Sequence, residues 1–176
     1  MQEIKKTKEE GFTLLELLIY ISIFIILIAV ITLFSVTLIK SVNKNYIKKE
    51  VAGSAYTAMK TMLYEIKMAK DVYAPTSVFN AYPGQLSLET TQDTPDGENT
   101  TYVDFYLDNN GKLCVKREGR DTEYLISENL KVSNLDFEYL SSVSKSVRIN
   151  LTVLYDTSNP EYQYLYTLTS TGTIRR

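Results

Sequence analysis

The chain of 176 residues has no histidine, no tryptophan and a single cysteine, Cys114. Without histidine there is no imidazole base, no imidazole proton shuttle and no histidine metal ligand. One thiol excludes an internal disulfide and a thiolate pair, and its place in an alternating segment predicts a packed, unreactive group. No glycine-rich phosphate loop is present, and no serine sits in a nucleophile elbow. The residues offer no catalytic constellation and no cofactor site, so an enzyme is not expected. A formal net charge of −2 gives no electrostatic footprint for broad nucleic-acid binding. Proline is scarce and absent before Pro75, so nothing in the first part of the chain forces a helix to break.

What is present begins at Gly11. Gly11-Phe12-Thr13-Leu14-Leu15-Glu16 opens an apolar run that reaches Ile39, and Glu16 is its only formal charge. From Leu17 to Ile39 a helix of about 23 residues would extend ~35 Å, enough for a bilayer core of ~30 Å. A carboxylate inside such a run costs roughly 2.5–3.5 kcal/mol on insertion scales, which marks Glu16 as functional. Before the run lies a leader with Lys5, Lys6 and Lys8 against Glu3, Glu9 and Glu10. The run is too long for a secretory signal, and Leu38-Ile39-Lys40-Ser41-Val42-Asn43-Lys44 holds no signal-peptidase site, so the helix is expected to stay in the mature chain. Lysines flank it on both sides, so the positive-inside rule does not decide the orientation. Export of the C-terminal part is favoured by the character of that part.

Helical spacing continues beyond Lys40. Val51, Ala55, Met59, Met62, Ile66, Ala69 and Tyr73 recur in steps of four and three, with Lys60, Glu65, Lys67 and Lys70 off that face. Gly53 could soften the middle. One helix from Phe12 to about Lys70 would hold ~59 residues and extend ~88 Å. A short coiled-coil stalk is the alternative for its second half.

From Pro75 the texture becomes alternating. Thr101–Leu107 and Lys112–Arg117 flank Asp108-Asn109-Asn110-Gly111, a hairpin signal. Glu123–Ser127, Val132–Leu140, Val147–Tyr155 and a segment with Tyr162, Tyr164, Tyr166 and Leu168 on one face read as further strands. Thr90–Thr100 is a polar loop with Pro95-Asp96-Gly97 as its turn, expected to be the most mobile part of this region. The predicted class is α+β: a long N-terminal helix, apolar over 12–39 and amphipathic over 40–72, packed on an antiparallel β-sheet head over 73–176.

Three weaker patterns were weighed against plain structure. Asp93, Asp96, Glu98 and the Asp108–Gly111 turn could ligate Ca²⁺, but their spacing matches no complete calcium loop, and no metal site is expected. Tyr162, Tyr164 and Tyr166 could stack sugars or bases; cross-strand packing under the helix is the preferred account. Lys145, Arg148, Arg175 and Arg176 make at most a small basic patch.

The basic-acidic leader 1–11, Gly11-Phe12, a glutamate at the fifth position after the glycine and the long apolar helix together resemble the signal of the type IV pilin and type II secretion pseudopilin superfamily. The resemblance implies that a prepilin peptidase removes the leader after Gly11 and methylates the new N-terminal Phe12. It makes Glu16 the assembly carboxylate. The Phe12 amine would be a positive charge at membrane depth, about one helical turn from Glu16, and such charges attract strongly where screening is poor. A neighbour's amine could then satisfy Glu16 and set the axial register of a fibre. The implied partners are other major and minor pilins or pseudopilins and an inner-membrane assembly platform. The implied location is the bacterial cytoplasmic membrane, in a single pass with the head exported, and then the pilus or pseudopilus. The family's frequent C-terminal disulfide and helix-kinking proline are absent here. Leu135-Asp136-Phe137-Glu138-Tyr139, Val147–Leu151 and Tyr166–Thr169 with Ile174-Arg175-Arg176 are similar to the J and W type of minor subunit, which initiates or caps a fibre. Because Glu16 is present, the chain does not resemble the extreme tip subunit. An adhesin or DNA-uptake subunit, or a simple membrane-anchored β-domain, are the alternatives.

Overall fold

The computed structural model describes residues 11–92, 94, 97–141 and 144–175. Residues 1–10, Asp93, Pro95, Asp96 and Arg176 therefore lie outside the described residues. The chain divides into two units, Met1–Asn43 and Lys44–Arg176, and helix α1 (Leu14–Met68, 55 residues) supplies residues to both.

In the first unit every described residue is exposed. The best 18-residue window of α1 has a mean hydropathy of 3.1 and no buried share, so the helix is long and apolar enough to cross a membrane. Four of its hydroxyls bond back to the helix. Ser22 donates to the Leu18 carbonyl at 2.8 Å, Thr32 to Ile28 at 2.9 Å, Ser35 to Ile31 at 2.9 Å and Thr37 to Leu33 at 3.0 Å. Each bond removes a polar group that hydrocarbon would leave unpaired, so these residues do not interrupt the apolar surface.

The second unit contains the core. On α1 the buried residues are Ile47, Val51, Ala55, Ala58, Met59, Met62 and Ile66. This is the predicted face, with Ile47 and Ala58 added. The helix stops at Met68 because the backbone turns into a sheet: Ala69 N–H donates to the Glu65 carbonyl at 2.8 Å, and Lys70 N–H donates to Glu89 at 2.8 Å. Tyr73 therefore falls outside the helix.

Eight strands follow: β1 (Asp71–Val72), β2 (Leu86–Thr90), β3 (Thr101–Leu107), β4 (Leu113–Arg117), β5 (Glu123–Tyr124), β6 (Leu130–Leu140), β7 (Ser146–Tyr155) and β8 (Leu165–Thr173). They form two antiparallel sheets rather than one, a five-stranded sheet β1-β2-β3-β4-β5 and a three-stranded sheet β6-β7-β8. The β3–β4 hairpin is as predicted, with Gly111 at φ +74° and its N–H on the Asp108 carbonyl at 3.1 Å.

The last strand departs from expectation. Pro160–Tyr162 is a 3-10 turn capped by the Asn159 side chain, which accepts from Glu161 N–H, so Tyr162 and Tyr164 both precede β8 instead of lying in it. Asn-Pro is a turn-initiating pair, and it outweighs the tyrosine alternation.

Leu86, Leu88, Val103, Phe105, Leu113 and Val115 of the first sheet join Leu130, Leu135, Phe137, Ile149, Leu151 and Val153 of the second and the helix face in one apolar cluster. Each such side chain stabilises the fold by roughly 1.5–3 kcal/mol. The segment before β2 joins the sheets at their edges: Asn80 N–H donates to Phe137 and Gly84 N–H to Leu135, both at 2.9 Å. A Cβ on Gly84 would sit 2.9 Å from the Leu135 carbonyl oxygen, so glycine permits this close approach.

Candidate functional site

Gly11 and Phe12 are exposed and precede the helix, and nothing lies within 4 Å of where a Gly11 Cβ would be. The bond between them is thus in open, non-helical backbone. Phe12 is 69% exposed, and its ring lies 5.5 Å from that of Tyr20.

Thr13 is the cap of α1. Its hydroxyl accepts from Glu16 N–H at 3.3 Å, while Glu16 Oε2 accepts from Thr13 N–H at 3.0 Å and from the Thr13 hydroxyl at 2.9 Å. This is a reciprocal capping box, Thr-x-x-Glu, which satisfies orphan donors at the helix start. The negative side chain also sits at the positive end of the helix dipole. A carboxylate at the head of an apolar helix is therefore held by local partners. Thr13 is the residue that the reading of charge and hydropathy passed over, although the Thr-x-x-Glu spacing before an apolar run is its signature.

The weaker candidates in the head are engaged structurally. Asp108 Oδ1 accepts from Asn110 N–H at 2.9 Å and from Lys112 N–H at 2.7 Å, so this carboxylate organises the hairpin turn. Among the described residues no group of three or more acidic or thiol side chains could hold a metal ion. Tyr164 and Tyr166 are half-buried against the core, as is Tyr162 from its turn, and Lys48 Nζ lies 5.7 Å from the centre of the Tyr164 ring. These contacts favour packing over a stacking platform.

Two of the basic residues near the C-terminus, Lys145 and Arg148, are neutralised. Lys145 pairs with Asp71, and Arg148 pairs with Glu138 at 2.6 Å. The Lys145 bond holds the Asp71 carboxyl below its ordinary range. Glu65, expected on the solvent side of the helix, is instead largely covered, with Arg117 Nη2 at 2.7 Å and Glu123 on the other arm of that guanidinium at 3.2 Å. Cys114 is buried, and loss of solvent raises its thiol above the usual range.

Comparison with known proteins adds one finding. Residues 6–32 match the family model described as the prokaryotic N-terminal methylation motif. No curated protein and no solved structure matches the chain. The matched segment brackets Gly11, Phe12, Thr13 and Glu16 and extends through the first turns of the apolar helix. The N-terminal part of this chain thus carries a prokaryotic methylation motif joined to a long apolar helix, and that combination supports a type IV pilin-like prepilin.

Proposed function

We propose that the chain is a minor pilin or pseudopilin, a structural subunit that initiates or caps a type IV pilus or a secretion or competence pseudopilus. The observation that carries this reading is the methylation motif over residues 6–32 set directly on an apolar helix with a carboxylate in its first turn. In this role prepilin peptidase cleaves after Gly11 and methylates the Phe12 amine. The open backbone at Gly11-Phe12 supports such access, since a protease engages non-helical chain. Residues 12–39 anchor the subunit in the cytoplasmic membrane and enter the fibre core on assembly, while the head, with the amphipathic part of α1 that ends at Met68, is exported. Glu16 exchanges its capping partner Thr13 for the Phe12 amine of a neighbouring subunit. The inner-membrane platform and other pilins or pseudopilins are the partners, and the part played is structural, not catalytic.

The test is the intact mass and N-terminal sequence of the membrane-bound protein, expressed with and without a prepilin peptidase. A chain beginning at monomethylated Phe12 only with the peptidase is the expected result. A full-length chain in both backgrounds would overturn the proposal.

A further inference from the structure

The two sheets end very differently. The five-stranded sheet terminates in β1 and β5, each of two residues. The outer side of β6 is tied by Asn80 and Gly84, which donate to its carbonyls, and by Val132 N–H, which donates to Gly111. The remaining edge is β8, nine residues without a charge or a proline. Long edges of this kind are normally blunted by charge, proline or a covering segment, because their unpaired backbone invites another strand.

The phase of the β7–β8 ladder decides which groups face outward. Tyr155 N–H donates to Tyr164 at 3.1 Å, and Ile174 N–H donates to Lys145 at 3.0 Å. With the register Val153↔Tyr166, Leu151↔Leu168 and Ile149↔Ser170, these even-numbered residues of β8 bond to β7. The N–H and C=O groups of Leu165, Thr167, Thr169, Thr171 and Thr173 then point away from the sheet. Beside this edge runs a groove of about 370 Å³ between β8 and α1, walled by Tyr56, Leu63, Tyr64 and Leu168. Tyr56 is 66% and Tyr64 56% exposed. Lys60 and Lys67 rim it, and neither has an ion-pair partner among the described residues.

The geometry points to the outer edge of β8, with this groove, as a docking site for an extended acidic peptide segment of a partner protein, added as a fourth strand. The outward backbone groups demand an extended polypeptide, since only a strand matches their repeat. Alternate side chains of the added strand enter the apolar groove, and carboxylates among them meet Lys60 and Lys67. This inference rests on the head alone and stands apart from the N-terminal motif.

The experiment uses the full chain in detergent micelles and the synthetic probe Val-Thr-Glu-Thr-Val-Thr-Glu-Thr-Val, with a counterpart carrying lysine for glutamate. Amide hydrogen exchange is followed residue by residue. Thr167, Thr169 and Thr171 amides are expected to exchange fast in the free chain and to slow by about tenfold or more with the acidic probe. The lysine counterpart leaves them unchanged. The double variant Lys60→Glu, Lys67→Glu weakens the acidic probe by about tenfold, and Thr171→Pro, which removes one outward N–H and leaves the β7 backbone bonds in place, also weakens it. Amides already protected in the free chain, no slowing at saturating probe, equal binding of both probes, or a DNA duplex that binds through these lysines without slowing the amides would each overturn the inference.

Discussion

At the scale of single residues the informative one is Glu16, because two physical roles converge on it. It closes the capping box with Thr13, with 2.9 and 3.0 Å bonds to one oxygen, and it is the carboxylate proposed to bridge subunits. The roles separate by substitution. Glu16→Gln keeps an acceptor for Thr13 and loses the charge; Thr13→Ala keeps the charge and loses the side-chain cap, at a cost of about 1 kcal/mol to the helix start. If the charge drives assembly, Glu16→Gln abolishes cross-linking of the processed subunit into oligomers, whereas Thr13→Ala leaves it within about twofold of the parent. Cleavage after Gly11, read by mass, serves as the control for both. Equal loss in the two variants would assign Glu16 to capping alone.

At the scale of elements, α1 and β8 approach closely at Gly172. A Cβ there would lie 2.9 Å from Ile66 Cγ2 and 3.2 Å from both Ile66 Cβ and Leu63 Cδ2. Gly172→Ala is therefore expected to destabilise the head by about 1–3 kcal/mol through overpacking, seen as a lower midpoint in urea. Unchanged stability would mean that the helix shifts freely over this sheet. Much at this scale was legible in the sequence. Helix period from Val51 to Ile66 and strict alternation in β3 and β7 report burial on one face, and burial is what those patterns encode. β2 was passed over although Leu86-Ser87-Leu88-Glu89 alternates apolar and polar residues; what that pattern does not announce is that Ser87, on its polar side, is buried too. β1 is two residues long and exists only through pairing with Glu89 and Leu88, a contact that no local pattern announces. At the candidate site, Glu16 stands out by its charge in an apolar run, and Gly11 and Phe12 by resemblance to a prepilin signal, but the Glu65–Arg117 pair joins residues 52 positions apart and needs the fold.

At the scale of the whole molecule, the buried apolar residues described all lie at Ile47 or beyond, and the apolar residues from Phe12 to Val42 are exposed. The two parts of the chain therefore draw on different solvents. The head gains its stability from water, by burying a helix face and two sheets, whereas the N-terminal helix has apolar surface on every side and needs lipid, detergent or other subunits to cover it. Among the described residues, a chain beginning at Asn43 loses only exposed ones, and it leaves an asparagine to cap the shortened helix. It is expected to stay soluble without detergent, to keep the near-ultraviolet dichroism of its tyrosines, and to unfold with a thermal midpoint within about 3 °C of the full chain in micelles, since the lost residues contribute no core. The full chain, by contrast, should aggregate when detergent is removed. A shortened chain that fails to fold, or that unfolds far below the parent, would show that residues before Asn43 stabilise the head. Equal midpoints would show that the head folds without the apolar helix, which the proposed assembly from a membrane-held subunit requires.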